Sequence, residues 1–440
     1  MLINKISSYF KQQVKSDEWP ALLWSFLYFV FLLTGYFILR PIREEMGVTA
    51  GPENYGWLFL TTFIVMLLIQ PFYGKVVSRY SRKQFIPIVY GFFGLMILLL
   101  WSLFHYVGKE SVLLARVFFV FVSVYNLFIV SIFWSFMADV YNKEQGKRLF
   151  GVIAAGGSTG GILGGLITSQ LVHHLGTINL LLVSFSFLML CIYAVFRVRR
   201  FATDSTINQE APLGGSAIEG IKLLIDSRFL QQIALMTVIA VIIGSIFYYL
   251  QGEYVRQFFP ERDQRTYVFA NINTITNFMT LFFQLILIPW LLQRVAIHKI
   301  LGIFPCMMIL ALTLFGLMPM LYVVLGAIIF QRSGAYGIMK PPTDWLFTGL
   351  PDNIKYKFKN FLDTVVYRGG DVFAQLILVN YVFISESSLL HWLENKFNFD
   401  INDVLALTVF GVILSVVWLW NAVTVGKMAV KKFAEYERIS

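Results

Sequence analysis

Twelve long apolar runs, separated by short polar segments, account for most of this chain. Each run approaches or exceeds the roughly 17–25 residues that a helix needs to cross about 30 Å of hydrocarbon. A helix is also able to satisfy its own backbone hydrogen bonds where no water is present. The sequence therefore predicts an all-α membrane protein with twelve transmembrane helices. The predicted spans, numbered one to twelve, are 21–40, 57–77, 85–104, 112–133, 149–171, 180–196, 229–250, 267–292, 300–318, 321–338, 361–384 and 404–425.

The composition supports a lipid environment. The chain is 58% apolar and 14% charged, with a mean hydropathy of +0.70. Soluble domains are roughly 45–50% apolar and about 25% charged. A water-soluble core cannot hide this much apolar surface, so we expect the lipid bilayer to be the main partner of the chain.

The second six spans repeat parts of the first six at an offset of 211 residues. The matching pairs are 36–39 with 247–250, 133–136 with 344–347, and 148–150 with 359–361. Repeated halves are typical of carriers, in which two similar bundles rock about a binding site. We predict two pseudo-symmetric six-helix bundles, the major facilitator fold. The expected domains are 1–200, which begins with an interfacial helix, a cytoplasmic linker 201–228 with an amphipathic helix, and 229–440.

The net charge of +10 reflects orientation in the membrane. Most Lys and Arg residues fall on the side of the membrane that carries the N-terminus, as the positive-inside rule requires for a cytoplasmic face. We therefore expect a multi-pass protein of the bacterial inner (cytoplasmic) membrane with both termini cytoplasmic, and no nucleic-acid partner. No cleavable signal peptide is visible.

Nothing in the sequence predicts catalysis. Cys191 and Cys306 lie in different spans without metal or disulfide spacing. The five His are scattered, so we expect no catalytic residues, no metal and no cofactor. The glycine-rich run 156–161 lacks the Lys-Ser/Thr ending of a phosphate loop. Its glycines instead recur every four residues, a spacing that lets membrane helices approach closely. We predict a seam at which span five slides during transport.

Charged residues at membrane depth mark function by default, because burying them in lipid is costly. Arg332 lies near the middle of span ten, whereas Arg368 and Asp371 are spaced to neutralise each other on span eleven. The other candidates also have structural explanations. Arg116 could extend to the membrane surface, and the charged end of span one (Arg40, Arg43 and Glu44) could anchor that helix at the interface. The Asn residues of span eight could form hydrogen bonds between helices without binding substrate. The candidate substrate-binding residues are Arg332, Arg368, Asp371, Arg40, Arg43, Glu44, Arg116, Tyr336, Asn273 and Asn277.

The loop between spans two and three, 74–83, resembles the cytoplasmic signature Gly-x-x-x-Asp-Arg-x-Gly-Arg-Lys of the major facilitator superfamily. Ser78 replaces the Asp and Ser81 replaces the second Gly. A basic inner loop that only follows the orientation rule would look similar. The candidate gating residues are Gly74, Arg79, Arg82, Glu144, Arg148, Lys355, Lys359 and Asp363.

A second resemblance covers nearly the whole chain. The segments 340–347, 355–359 and 363–371, together with 39–44 and 144–150, resemble the bacterial and plastid-type ATP/ADP translocase family. This family implies nucleotide exchange through embedded basic and acidic residues. By position, Arg43-Glu44 matches the Lys-Asp at the end of span one in that family, and Arg148 and Lys359 match its basic residues after spans four and ten. Fold transfers from such a resemblance more securely than substrate does.

Three functions remain open from the sequence. The first is a monomeric secondary transporter of a small anionic solute, including ATP/ADP-type antiport, because three arginines against one aspartate lie away from the ends of the spans and guanidinium matches phosphate and carboxylate. The second is a proton-coupled carrier or exporter of another small molecule, with Asp371 and Glu44 as protonation sites. The third, a receptor or assembly partner without transport, fits repeated halves least well.

Overall fold

The computed structural model describes residues 14–79, 82–108, 110–201, 217–348, 350, 358–359, 361–376, 391–392 and 403–439. In these residues, eleven helices are long and apolar enough to cross a membrane. They correspond to the predicted spans except span eleven, which is described only as far as residue 376. The expectation of an all-α membrane fold is confirmed. The predicted N-terminal interfacial helix lies mostly outside the described residues.

The helices follow the predicted order and are mostly longer than predicted. Spans one to six are Trp19–Thr49, Tyr55–Arg79, Arg82–Val107, Val112–Val140, Lys143–Leu175 and Leu180–Val198. The linker contains a helix at Ala217–Asp226. Span seven is Arg228–Phe258, span eight runs through Arg262–Phe282, Phe283–Leu287 and Ile288–Arg294, and span nine is Ile297–Leu317. Span ten runs through Leu321–Gly334, Ala335–Met339 and Lys340–Trp345, span eleven begins with Leu362–Val366 and Tyr367–Val372, and span twelve is Asp403–Ile439.

Span one extends well beyond its predicted end. It does not end at Arg40 but continues through Pro41 to Thr49. Proline removes one backbone donor from a helix, yet the two acids that follow it, Glu44 and Glu45, remain in the helix and are buried. Both pair with arginine side chains, at 3.5 Å and 2.9 Å respectively. Because these partners offset the cost of burial, the charged segment that looked like an interfacial end is part of the helix.

Among the described residues, three membrane helices of the second half contain π-helical turns, which include Phe283–Leu287, Ala335–Met339 and Leu362–Val366. Such turns insert one extra residue into a helix and are frequent at functional sites. The second turn begins three residues after Arg332, and the third ends two residues before Arg368. Two of the predicted binding arginines therefore lie beside an irregular helical turn.

The chain forms two compact units. The first comprises Met1–Ala50, Ile64–Thr206 and Phe259–Asn277, and the second comprises Gly51–Phe63, Ile207–Phe258 and Phe278–Ser440. Within the first unit, span one packs against spans four, five and six. Within the second unit, span seven packs against spans ten, eleven and twelve. Spans one and seven are thus the central helices of their units, as expected of equivalent positions in a repeat. The predicted division 1–200, 201–228 and 229–440 stays a prediction.

Candidate functional site

Two arginines of span one, Arg40 and Arg43, contact aromatic rings, and Arg40 also pairs with a carboxylate. Arg40 Nε lies 3.5 Å from Glu44 Oε1, one turn further along the helix. The Arg40 guanidinium also lies 5.4 Å from the centroid of the Phe37 ring, within the range of a cation–π contact. Glu44 is buried, with 2% of its surface exposed. The first unit therefore contains an arginine positioned between an aromatic face and a buried carboxylate.

Arg43 links span one to span four. Its Nη1 donates to Ser123 Oγ at 3.3 Å, and its guanidinium lies 5.0 Å from the centroid of the Phe119 ring. The Ser123 hydroxyl donates in turn to the Phe119 carbonyl at 2.8 Å. Because the serine proton is used in this bond, the oxygen presents lone pairs to the guanidinium. Ser123 and Phe119 orient Arg43 and had no recognisable signal in the sequence.

The two candidate asparagines of span eight, Asn273 and Asn277, lie in the first unit. Asn273 is 1% exposed. Asn277 packs so closely on span five that its Nδ2 lies 2.9 Å from where a Cβ of Gly161 would stand, and Phe37 lies 3.2 Å from the same point. Asn277 therefore contacts the same glycine as the aromatic ring below Arg40. This arrangement joins spans one, five and eight at one place.

The glycines of span five divide between two partners. Added Cβ atoms on Gly156, Gly160 and Gly164 would meet backbone atoms of span one, whereas Gly161 and Gly165 face Asn277 and Thr274 of span eight. Small residues at this spacing allow such close approach. The glycines of span five thus pack closely against span one on one face and against span eight on another. That span five slides during transport stays a prediction.

The second unit places another arginine on an aromatic ring. The Arg332 guanidinium lies 5.8 Å from the centroid of the Tyr248 ring. Tyr248 also packs against Tyr55 and Phe59, with ring centroids 5.0 Å and 5.5 Å away. Tyr248 occupies the position 211 residues after Phe37. Equivalent aromatic residues in the two halves each lie under an arginine; the repeat offset relates the two rings but not the two arginines.

Span seven also supports the part of span eleven that carries Arg368 and Asp371. Gln375 Nε2 donates to the Ser245 carbonyl at 2.9 Å, and the Cβ position of Gly370 is 3.4 Å from Val241. These positions on span seven share one helical face with Tyr248. Arg368 and Asp371 are both half-buried. Their supporting contacts were not predicted from the sequence.

Tyr336 lies in the π-helical turn of span ten. Its side chain is 55% exposed, and its carbonyl accepts a hydrogen bond from Gln284 Nε2 at 3.1 Å. Gln284 belongs to the π-helical turn of span eight. A π-helical turn changes the backbone hydrogen-bond pattern. The Gln284 side chain, in the turn of span eight, supplies a hydrogen-bond donor to a backbone carbonyl in the turn of span ten.

Two predicted gating residues form ion pairs at equivalent positions of the repeat. Arg148 donates to both carboxylate oxygens of Glu18, at 2.7 Å and 3.1 Å. This two-point bond, with further donors from Lys15 and Gln145, lowers the pKa of Glu18 from 4.5 to about 2 against the opposing effect of burial. Lys359, 211 residues after Arg148, donates to Asp344 at 2.8 Å. In each half, therefore, the basic residue at this position of the repeat forms an ion pair with a carboxylate.

The remaining predicted residues are less informative. Arg116, Glu144 and Asp363 are exposed. Gly74, Arg79 and Arg82 lie on helices, but their surroundings are not described, and Lys355 lies wholly outside the described residues. Among the described residues, no group of three or more His, Cys, Asp or Glu side chains is placed to hold a metal ion.

Comparison with known proteins gives a family match and similar folds. Residues 25–353 match the model of the Major Facilitator Superfamily. No curated protein matches the chain by sequence. Similar solved structures include a bacterial homologue of the human lysosomal transporter Spinster, inward-facing and unoccupied, with a TM-score of 0.57 at 13% identity over 96% of this chain and 98% of that one.

Two further structures show the same fold. The nucleoside transporter NupG gives a TM-score of 0.56 at 12% identity over 93% of this chain and 99% of that one. A D-xylose–proton symporter gives a TM-score of 0.56 at 12% identity over 91% of this chain and 97% of that one. At these identities the similarity concerns the fold alone. The assignment to the ATP/ADP translocase branch stays a prediction.

Proposed function

We propose that this chain, which belongs to the Major Facilitator Superfamily and is a secondary transporter, carries an anionic organic solute by alternating access. The observation that carries the proposal is the repeated arginine–aromatic pair, Arg40 on Phe37 and Arg332 on Tyr248. An arginine fixed over a ring keeps its planar fork oriented, and that fork matches carboxylate and phosphate. The two rings occupy equivalent positions of the two halves, whereas the arginines come from different positions, span one and span ten.

Nucleotides are the anionic solutes that we favour, with ATP/ADP-type exchange as the mode. A nucleotide combines a phosphate chain with a planar base, and each arginine–aromatic pair offers a guanidinium beside a ring. The resemblance of segments 340–347 and 363–371 to ATP/ADP translocases supports this choice. The similarity to a nucleoside transporter supports the fold that exchange requires.

Proton-coupled transport of another small molecule is the second candidate. The observation that favours it is the presence of two carboxylates, Asp371 and Glu44, in membrane helices. Carboxylates at membrane depth are typical of proton relays. One similar structure is a proton symporter, which makes this mode compatible with the fold. In either mode we propose a monomer in the bacterial cytoplasmic membrane with both termini inside.

A ligand-stabilisation screen tests the anionic solute. Purified protein is melted with nucleotides, organic acids and neutral sugars. A ligand at about 100 times its dissociation constant adds ~2.7 kcal/mol of stability, so the melting temperature should rise with anions alone. Arg332→Ala and Arg332→Lys should both lose most of this rise, because lysine lacks the planar fork.

The control for these variants is Arg294→Gln. Arg294 also lies over an aromatic ring, Trp290 at 5.0 Å, but it is exposed at the end of span eight. It should keep the full anion-dependent rise. Stabilisation by neutral sugars only, or equal stabilisation of Arg332→Ala and the unmodified protein, contradicts the proposal.

A further inference from the structure

Spans one and six share a surface at the end of the membrane that the charge distribution predicts to be cytoplasmic. The ring of Trp24, in span one, makes an edge contact with Tyr193 of span six, and the two ring centroids are 5.7 Å apart. The guanidinium of Arg197, one turn beyond Tyr193, lies 4.9 Å from the centroid of the Trp24 ring. One aromatic ring of span one therefore contacts two side chains of span six. These residues all belong to the first compact unit.

Two further arginines follow Arg197 where span six ends. The Arg199 guanidinium lies 5.6 Å from the centroid of the Phe196 ring. Arg200 is exposed in the short helical turn Arg199–Phe201. Because an arginine side chain is always charged in a protein, the end of span six carries three closely spaced positive charges.

These three arginines differ from two other basic residues of the same predicted side, which are neutralised within the protein. Arg148 donates to Glu18 at 2.7 Å, and Lys359 donates to Asp344 at 2.8 Å. In the described part of the chain, no carboxylate lies within ion-pair distance of the three arginines at the end of span six. The rings attract the guanidinium groups but carry no net charge. An anion from outside the protein can therefore neutralise this group.

An exposed apolar track leads from the arginines into the membrane. Leu190 and Tyr193 lie two turns and one turn before Arg197 on the same face of span six, and they are 44% and 51% exposed. Leu23, next to Trp24 in span one, is 54% exposed. Large apolar side chains exposed on a membrane helix face hydrocarbon. An anion that reaches Arg197 along this surface therefore carries acyl chains.

The helix macrodipole offers a simpler explanation for positive charge at this place. A cation at the C-terminal end of a helix is stabilised by the carbonyl groups of the last turn. That effect needs no ring, yet Arg197 lies on a ring that belongs to a different helix. The aromatic contacts orient the guanidinium groups, and orientation before binding lowers the cost of ordering them around a ligand.

We propose that the end of span six and the start of span one form a binding site for an anionic phospholipid. The lipid phosphate lies on the three arginines, whose planar forks match its oxygens, and the acyl chains follow Tyr193 and Leu190. Basic pockets between membrane helices on the cytoplasmic side bind such headgroups in other proteins. The site is separate from the arginine–aromatic pairs proposed for the solute, and it does not depend on which solute is carried.

A lipid titration of the purified full-length protein in detergent tests the site. Phosphatidylglycerol and phosphatidylcholine with identical acyl chains are added separately, and native mass spectrometry measures the fraction of protein with bound lipid. Phosphatidylglycerol should bind more than about tenfold more tightly, because it alone carries a net negative charge. Arg197→Gln and Arg200→Gln should each weaken its binding about fivefold and leave phosphatidylcholine binding unchanged.

The controls separate this site from general charge and from free phosphate. Arg200→Gln provides the test if Arg197→Gln does not fold, because Arg200 is exposed. Arg256→Gln should keep the full affinity, since Arg256 lies at the opposite predicted side and pairs with Glu53 and Glu253 at 2.9 Å and 2.8 Å. Inorganic phosphate at the lipid concentration should not displace the lipid, because it has no acyl chains. Equal affinity for the two lipids, displacement by phosphate, unchanged affinity in both span-six variants, or equal weakening by Arg256→Gln overturns the proposal.

Discussion

Glu18 and Arg148 show how one residue pair can fix the predicted cytoplasmic end of a helix bundle. The carboxylate accepts from both ends of the guanidinium fork, from Gln145 and from the Lys15 backbone. Charge-assisted bidentate pairs of this kind are the strong ones. The pair attaches the start of span one to the start of span five, and so holds the central helix of the first unit.

The pair predicts a pH-dependent stability. The pKa of Glu18 is about 2 in the folded protein against 4.5 ordinarily, so its contribution is present above about pH 4.5 and is lost as the pH falls toward 2. Glu18→Gln should therefore lower the melting temperature at pH 7 by about 2–5 °C, and the deficit should shrink between pH 5 and pH 3. Thermal melts across this pH series measure it. The neighbouring exposed Asp17, changed to Asn, is the control; a deficit that is constant with pH would contradict the account.

At the scale of elements, span five packs closely against span one. A Cβ on Gly160 would stand 2.6 Å from the Val30 carbonyl and 3.0 Å from the Thr34 amide nitrogen. Both atoms belong to the backbone of span one, so no side-chain rotation can relieve the contact. The seam with span one therefore depends on the absence of a side chain at this position.

Gly160→Ala should destabilise the protein by about 1–3 kcal/mol, the usual cost of overpacking. Gly151→Ala is the matched control, because Gly151 lies on the same helix and its added Cβ would meet nothing within 4 Å. It should leave stability unchanged or slightly raised, since alanine is the better helix former. Detergent-solubilised melting temperatures measure both variants. Equal destabilisation by the two would mean that helix propensity, and not the seam, controls the effect.

Much of the helical architecture could be predicted from the sequence, because lipid demands an apolar run of fixed length for every span. The end of span one could not, because burial of Glu45 depends on arginines in span eight. The π-helical turns beside Arg332 and Arg368 leave no apolar pattern of their own.

The candidate site was partly predictable for similar reasons. Arg332 stood out because a charge at membrane depth is costly, and the repeat offset pointed from Phe37 to its counterpart Tyr248. The contact between Arg332 and that ring joins spans ten and seven, and the Glu18 partner of Arg148 lies 130 residues away. Spacing along the chain carries no information about such pairs.

At the scale of the whole molecule, we propose an exchanger of anionic solutes that uses an arginine–aromatic pair in each half. Counterflow into proteoliposomes measures this activity directly. Vesicles loaded with ADP should accumulate labelled ATP faster than empty vesicles, without a pH gradient, and Arg332→Ala should abolish the difference. No counterflow with any nucleotide or organic acid, together with uptake of a neutral solute driven by a pH gradient, would contradict it.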